Sequence, residues 1–360
     1  VIDQQLAEIS NFAIVISVVL YVLALIGFGA DLASTSQRRA DERLAQQERA
    51  AAKATVGAAT GGTSATGTSA AGSAGSPAGA GSGDGPHGAE TATAPRSMSA
   101  QNFAFLLTSA AAVLHVLGMV TRGIATARVP WANMYEFALS STAVLIVGFL
   151  LFSLKRKELR VLGTFVVGLV LLTVLIAQTF WIVPAAQLTP SLQNSYWIVI
   201  HIGVAILATA LSGLGAMVAV LQLLQARHEQ GILAQAKAGA EHPEHWGRFG
   251  HVLDRLPSSS VLEGLSFRIH SVAFVCWTFT LIFGAIWARE AWGRFWGWDP
   301  KEVWTFIIWV IYAAYLHARA TGGFRGSRAA GIALLGFVAV VFNYTIVNTV
   351  INGLHSYSGM

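Results

Sequence analysis

A single cysteine, Cys276, is all the thiol that 360 residues carry. An intrachain disulfide and a Cys-x-x-Cys pair are therefore excluded, and any thiol chemistry must belong to another chain. Charge is scarce as well. Asp, Glu, Lys and Arg make up 11% of the residues against 54% hydrophobic ones, and the mean hydropathy is +0.58. That balance excludes an ordinary soluble domain. The formal charge of +5 does not argue for nucleic acid, because in a membrane protein a basic excess first reports loop orientation. Two further signals are lacking: a repeat of fixed period and a secretory cleavage site, so the first apolar segment reads as an uncleaved anchor.

Long apolar runs are what the chain does have. Eight segments, roughly 10–30, 101–120, 134–154, 160–182, 196–225, 266–287, 303–318 and 329–353, come close to the ~20 residues a helix needs to cross the hydrocarbon. They predict an all-α polytopic membrane protein. Of the 23 Lys and Arg, 18 fall in one set of alternate loops (31–100, 155–160, 226–268, 319–328) and 5 in the other. The positive-inside rule puts the first set in the cytoplasm and both termini outside. Residues 1–34 form an N-terminal transmembrane anchor. Residues 35–100, rich in Ala, Gly, Ser and Thr between Lys53 and Arg96, read as a flexible low-complexity cytoplasmic linker, with too little hydrophobic surface to repay ordering. Residues 101–360 make a seven-helix membrane domain, with a second cytoplasmic connection at 226–262.

One external stretch is unusual. AWGRFWGWDPKEVW, residues 291–304, places Trp292, Trp296, Trp298 and Trp304 around an Asp-Pro-Lys-Glu run. Asp299 as N-cap, Pro300 at N1 and Glu302 at N3 spell a capping box, which makes both acids structural first. Trp181, Trp197 and Trp309 fit an interfacial aromatic belt. Trp287, Trp292, Trp296 and Trp298, with Gly293 and Gly297 among them, suit either a belt or the face of a large flat apolar ligand.

The histidines sort by depth. His87, His228, His242, His245 and His251 fall in the cytoplasmic segments and read as solvated, His242 and His245 being spaced for at most a weak metal pair. His201, about one turn into the fifth span, and His355, just past the eighth, lie at the level of the tryptophans. Two neutral imidazoles beside an aromatic platform are how a protein holds haem iron axially. Asn348, Asn352 and His355, spaced i, i+4, i+7, would share one helix face and orient that histidine, or serve helix packing. His317, 13 residues past Trp304 and so about 20 Å deeper, is either a second station inside the membrane or an inner-interface residue beside Arg319. His115 and His270 are packing residues or additional ligands. Five basic residues face outside: Arg122, Arg128, Arg289, Arg294 and Lys301. Arg289 and Arg294 flank the tryptophans and suit two carboxylates in fork geometry, or are ordinary interfacial charges.

WGRFWGWDPKEVW, YLHARATGGFRG, NGLHSYSG and VPWANMYEF together resemble the WWD-domain haem-handling superfamily. Within it they are similar to the System II cytochrome c biogenesis family called CcsA or ResC, or CcsB in some lineages. The likeness covers roughly 100–360 and centres on a WWD segment at 287–304. It implies a haem-handling subunit of a cytochrome c synthase complex in the plasma (inner) membrane. Haem b would pass from the cytoplasmic side to an external site and be presented to apocytochrome c bearing Cys-x-x-Cys-His, for thioether attachment. By resemblance, His201 and His355 are the external haem iron ligands and His317 the membrane-embedded one. Trp287, Trp292, Trp296, Trp298 and Asp299 form the platform. No residue is assigned to catalysis beyond positioning, and haem iron is the only metal. The implied partners are a separate ResB-type membrane protein, apocytochrome c and an external thiol-reducing protein. A haem exporter without synthase activity is the alternative.

Overall fold

The computed structural model describes residues 2–60, 99–186, 195–241, 243–321 and 324–355. They form ten α-helices: α1 (Gln4–Thr60), α2 (Ala100–Thr126), α3 (Met134–Lys155), α4 (Gly163–Phe180), α5 (Trp197–Lys237), α6 (Gly247–Leu253), α7 (Ser259–Trp292), α8 (Pro300–Ala320), α9 (Ser327–Tyr344) and α10 (Ile346–Thr349), with a 3₁₀ turn at Lys157–Leu162. Eight of these segments are long and apolar enough to cross a membrane, beginning with Gln4–Ala33 and ending with Ser327–Thr349. The protein is therefore an all-helical polytopic membrane protein, as its hydropathy required. His87 and His242 lie outside the described residues.

Two compact units are present, Val1–Ala33 with Ala100–Met360, and Ser34–Ser99. In the second unit, residues 35–60 are helical, where the composition had suggested a flexible linker. QRRADERLAQQERAAAK at its start is almost entirely Ala, Arg, Gln, Glu, Leu and Lys, the strongest helix formers. Residues 61–98 of that expected linker lie outside the described residues.

In the first unit, successive spans run antiparallel. One end of the bundle therefore collects the start of α1, the end of α2, the starts of α3, α5 and α8, and the ends of α4, α7 and α9. Polar staples fix this end. Glu136 on α3 is fully buried and takes the Arg122 Nε at 2.9 Å and the Arg128 Nη1 at 2.8 Å. The same two guanidiniums donate onward to the Val183 and Ala186 carbonyls at 2.9 and 3.0 Å. The α2–α3 loop and the segment after α4 are thereby held together.

α5 has 41 residues and is about 60 Å long, twice the hydrocarbon thickness. It projects well past the bundle, and α6 packs back on the projection. His228 there is buried and bonded to Asp254 at 2.9 Å. The expectation that it is solvated fails, because a carboxylate 26 residues away takes its Nε2 while the ring is buried. α5 and α7 form the central pair. Gly215 lets the His270 ring lie against the α5 backbone where any Cβ would collide with it, and Trp277 Nε1 donates to Ser212 Oγ at 3.0 Å.

Candidate functional site

A cavity of about 190 Å³ opens at the stapled end of the bundle. Its walls come from the α2–α3 loop and the starts of α3 and α5 (Trp131, Phe137, His201), from α7 (Trp277, Trp287), from the α7–α8 loop and α8 (Phe295, Trp296, Lys301), and from the C-terminal segment (Asn343, Asn348, His355). The volume is below the roughly 300–1,000 Å³ of pockets that enclose a drug-sized ligand. A flat ligand of that size would be gripped over part of its face and exposed along an edge.

Each element delivers its residue for a local reason. α7 ends at Gly293, whose φ of +75° gives the left-handed residue that closes a helix. α8 begins with the expected capping box: Asp299 Oδ2 accepts from the Lys301 N–H at 3.2 Å, and Glu302 accepts from the Asp299 N–H at 3.0 Å. Between these ends, Glu302 also takes the Gly297 N–H at 2.8 Å and the Arg294 guanidinium at 3.1 Å, which folds the tryptophan loop onto α8.

His201 and His355 both line the cavity, and both pack on Trp287. The His201 ring lies parallel to the indole at 6.0 Å, and the His355 ring meets it edge-on at 5.7 Å. His201 Nδ1 sits 3.0 Å from the Thr280 carbonyl, an acceptor only, so Nδ1 carries the proton and Nε2 the lone pair. Gly284 makes room for this ring, since a Cβ there would come within 2.8 Å of His201 Cε1. His355 Nδ1 donates to Asp299 Oδ2 at 2.7 Å, which sets the same tautomer. Both arrangements match the way proteins orient imidazoles that ligate metals.

Asp299 thus holds more than a helix cap. Its other oxygen accepts from the Leu354 N–H at 2.6 Å, so one buried carboxylate starts α8 and docks the C-terminal segment. Burial alone would raise the pKa of this carboxyl, but the bonds from His355 and Leu354 outweigh it and hold the group below its ordinary value. A depressed pKa contributes stability that is complete above the ordinary aspartate value of about 3.9 and lost as pH falls through the folded one.

The expected polar face of Asn348, Asn352 and His355 is corrected by the structure. The eighth span breaks at Thr345 and ends with α10 at Thr349, so residues 350–355 are not helical and the three do not share a helix face. Asn348 lines the cavity, whereas Asn352 is exposed.

The remaining candidates divide. Trp287 and Trp296 line the cavity. Trp292 stands behind it, 4.8 Å from the His355 ring and 4.7 Å from Trp287. Trp298, with φ of +60°, is 74% exposed and turned outward. Neither Arg289 nor Arg294 lines the cavity: Arg289 donates to the Gly293 carbonyl, and Arg294 pairs with Glu302. His317 is exposed in the last turn of α8, about 24 Å along the helix from Lys301. It is not brought together with His201 and His355. His115 and His270 are fully buried away from the cavity, bonded to Tyr21 at 3.4 Å and to the Ser266 carbonyl at 2.9 Å. Trp309 packs between helices with its N–H on Thr278 and does not belong to a belt.

Sequence reasoning missed Trp131, Phe137, Trp277 and Phe295 as walls, and Lys301 as a residue of the site. No spacing signal marks the first four, because they come from separate elements.

The Asp299–His355 bond makes a prediction. Asp299→Asn retains a good N-cap but withdraws the charge that orients His355. If these imidazoles hold a metal, affinity is expected to fall about 10–100-fold with a helix content and melting temperature close to those of the parent. Asp299→Ala also loses the cap, adding about 1 kcal/mol of destabilisation. Ligand titration beside thermal melts separates the two, and full affinity in Asp299→Asn would remove the orienting role.

A family model described as cytochrome C assembly protein matches residues 104–355, which include every cavity residue and exclude the first span. Relatives described as cytochrome c biogenesis protein CcsA include one from Parasynechococcus marenigrum, 39% identical over 179 residues, which are 48% of this chain and 58% of that relative. One from Prochlorococcus marinus is 32% identical over 271 residues, 70% of this chain and 83% of the relative. A third, from Chlamydomonas reinhardtii, is 37% identical over 173 residues, 48% of this chain and 43% of the relative. The chain thus spans about half the length of the first and third of these.

Proposed function

The chain belongs to the cytochrome c assembly protein family and is of the CcsA type, and on that premise we propose that it is the haem-handling subunit of a cytochrome c synthase complex. One observation carries the reading. Two imidazoles, each with Nδ1 tied to an acceptor, line one aromatic cavity and pack on a single indole.

The residues fit haem b. His201 and His355 would hold its iron, Trp287 and Trp296 would supply apolar walls, and Gly284 leaves the room the His201 ring needs. When bound, haem supplies the vinyl carbons across which the two thiols of an apocytochrome Cys-x-x-Cys-His motif add, sulfur to carbon and proton to the neighbouring carbon. The chain's own part is positioning. Thr280 and Asp299 hold the two imidazoles in one tautomer, the tryptophans exclude water from one face, and the cavity's small volume leaves an edge open to the substrate. In this reading the site faces the outside of the plasma membrane, as the positive-inside distribution supports. His317, exposed on α8, is a membrane station completed by a ResB-type partner. An external thiol-reducing protein keeps the substrate cysteines reduced.

The test is coexpression with a ResB-type partner and an apocytochrome carrying Cys-x-x-Cys-His. A bis-histidine haem spectrum in the purified complex, together with covalent haem on the substrate, is expected. A coloured complex that never attaches haem would indicate an exporter, and a colourless one would remove haem handling altogether.

A further inference from the structure

The cavity has one cationic side chain among its described lining residues, and it is neither of the arginines that flank the tryptophans. Lys301 stands in the first turn of α8, between the two acids of the capping box, and reaches across to α9, where Nζ donates to the Asn343 carbonyl at 2.9 Å. An ammonium has three N–H donors. One is used here, and among the described residues no carboxylate lies within ion-pair distance of Nζ. Asp299, the nearest acid in sequence, has its oxygens engaged by His355, by the Leu354 N–H and by the Lys301 backbone N–H. Glu302, the one acid among the described lining residues, is occupied by Arg294 and two backbone N–H groups.

Asn343 adds a second observation. It is 6% exposed and lines the cavity, its Nδ2 donates to Thr305 Oγ1 at 3.3 Å, and its Oδ1 is buried without a partner. A buried amide oxygen left unpaired is costly unless something completes it. Turning the amide by half a turn would put its NH₂ in the place of that oxygen, a donor where the acceptor is unpaired. A part-desolvated ammonium that lines the cavity with spare donors, and with no carboxylate partner among the described residues, suits an oxyanion.

We propose that Lys301, anchored on the Asn343 carbonyl, recognises a carboxylate of the ligand that this cavity binds. Under the function proposed above, on which this inference rests, that carboxylate is a haem propionate. Lys301 is then a specificity-determining residue that selects a dicarboxylate porphyrin over a neutral one and fixes which edge of the ring turns inward. Arg289 and Arg294, outside the lining, have no such role.

The test compares iron protoporphyrin IX with its dimethyl ester, titrated into the purified full-length chain in detergent. A His317→Ala background limits the readout to this cavity. The parent is expected to bind the free acid about tenfold or more tightly than the ester, as a charge-assisted bond implies. Lys301→Met is expected to bind both with the affinity the parent shows for the ester, and Lys301→Arg to recover part of the preference. Binding of the ester by Lys301→Met also shows that the variant is folded. Unchanged preference in Lys301→Met overturns the inference while leaving haem binding intact, as does loss of the preference in Arg289→Gln instead. Failure of the parent to bind either porphyrin overturns the functional reading, and this inference with it.

Discussion

Glu136→Gln is expected to destabilise the membrane bundle by about 3–5 kcal/mol, the range for breaking a buried ion pair from one side. The carboxylate is fully buried and serves two arginines at once, with Arg122 1% exposed and Arg128 8%. It also accepts the Ala132 N–H at 2.8 Å. Glutamine preserves the shape and one acceptor oxygen. It withdraws the charge, leaving two guanidiniums facing each other with no counter-ion. Net stabilities of folded domains are about 5–15 kcal/mol, so the loss is a large share of the whole. Because Ala132, Asn133 and Met134 also line the cavity, the wall around Trp131 should loosen with it. Thermal melting in detergent measures the first effect and ligand titration the second. The double variant Glu136→Gln/Arg122→Met removes one orphaned charge, and should be less destabilised than the single losses added together. If Glu136→Gln melts with the parent, the cluster does not staple this end of the bundle.

That cluster also shows what a sequence can and cannot reveal. Arg122 and Arg128 are visible as two of the five basic residues in the outer loops, yet nothing in their spacing reports that one glutamate neutralises both. The helix cap of α8 was legible because its chemistry is local: Asp-Pro-Lys-Glu contains the donor, the acceptors and the missing N–H within four residues. The eight spans were legible because hydropathy integrates over some twenty residues. The C-terminal segment was not. The i, i+4, i+7 spacing of Asn348, Asn352 and His355 presupposes a continuing helix, but Asp299, more than fifty positions earlier, captures the Leu354 N–H and the His355 ring and bends the chain around itself. Gly353 lies at the point of contact, where a Cβ would come within 2.7 Å of Asp299 Oδ1. His228 misled for the same reason: its partner Asp254 sits on α6's far end, out of reach of any local pattern.

Replacing either cavity histidine is expected to have the largest functional effect. Under the proposed function, His201→Ala and His355→Ala should each abolish the bis-histidine spectrum of the cavity and reduce haem attachment by more than about 100-fold, beyond the 10–100-fold typical of losing an orienting partner. The two losses should not add, since ligands acting as a unit fail together. The environments of the rings differ, and the difference predicts an order. His355 donates to a carboxylate at 2.7 Å, His201 to a neutral carbonyl at 3.0 Å. A carboxylate partner raises the basicity of the imidazole more, so under the proposed function His355 would be the stronger donor, and His201 would be the one that a histidine from the incoming substrate replaces. His355→Ala should therefore be the more severe variant, and added imidazole should restore part of the spectrum in both, because alanine leaves a space beside Trp287 that the free base can fill. Absorption spectra of the purified complexes, with and without imidazole, give both answers. Parental haem content in the two single variants would sink the assignment, and a His201→Ala defect deeper than that of His355→Ala would reverse the order of displacement.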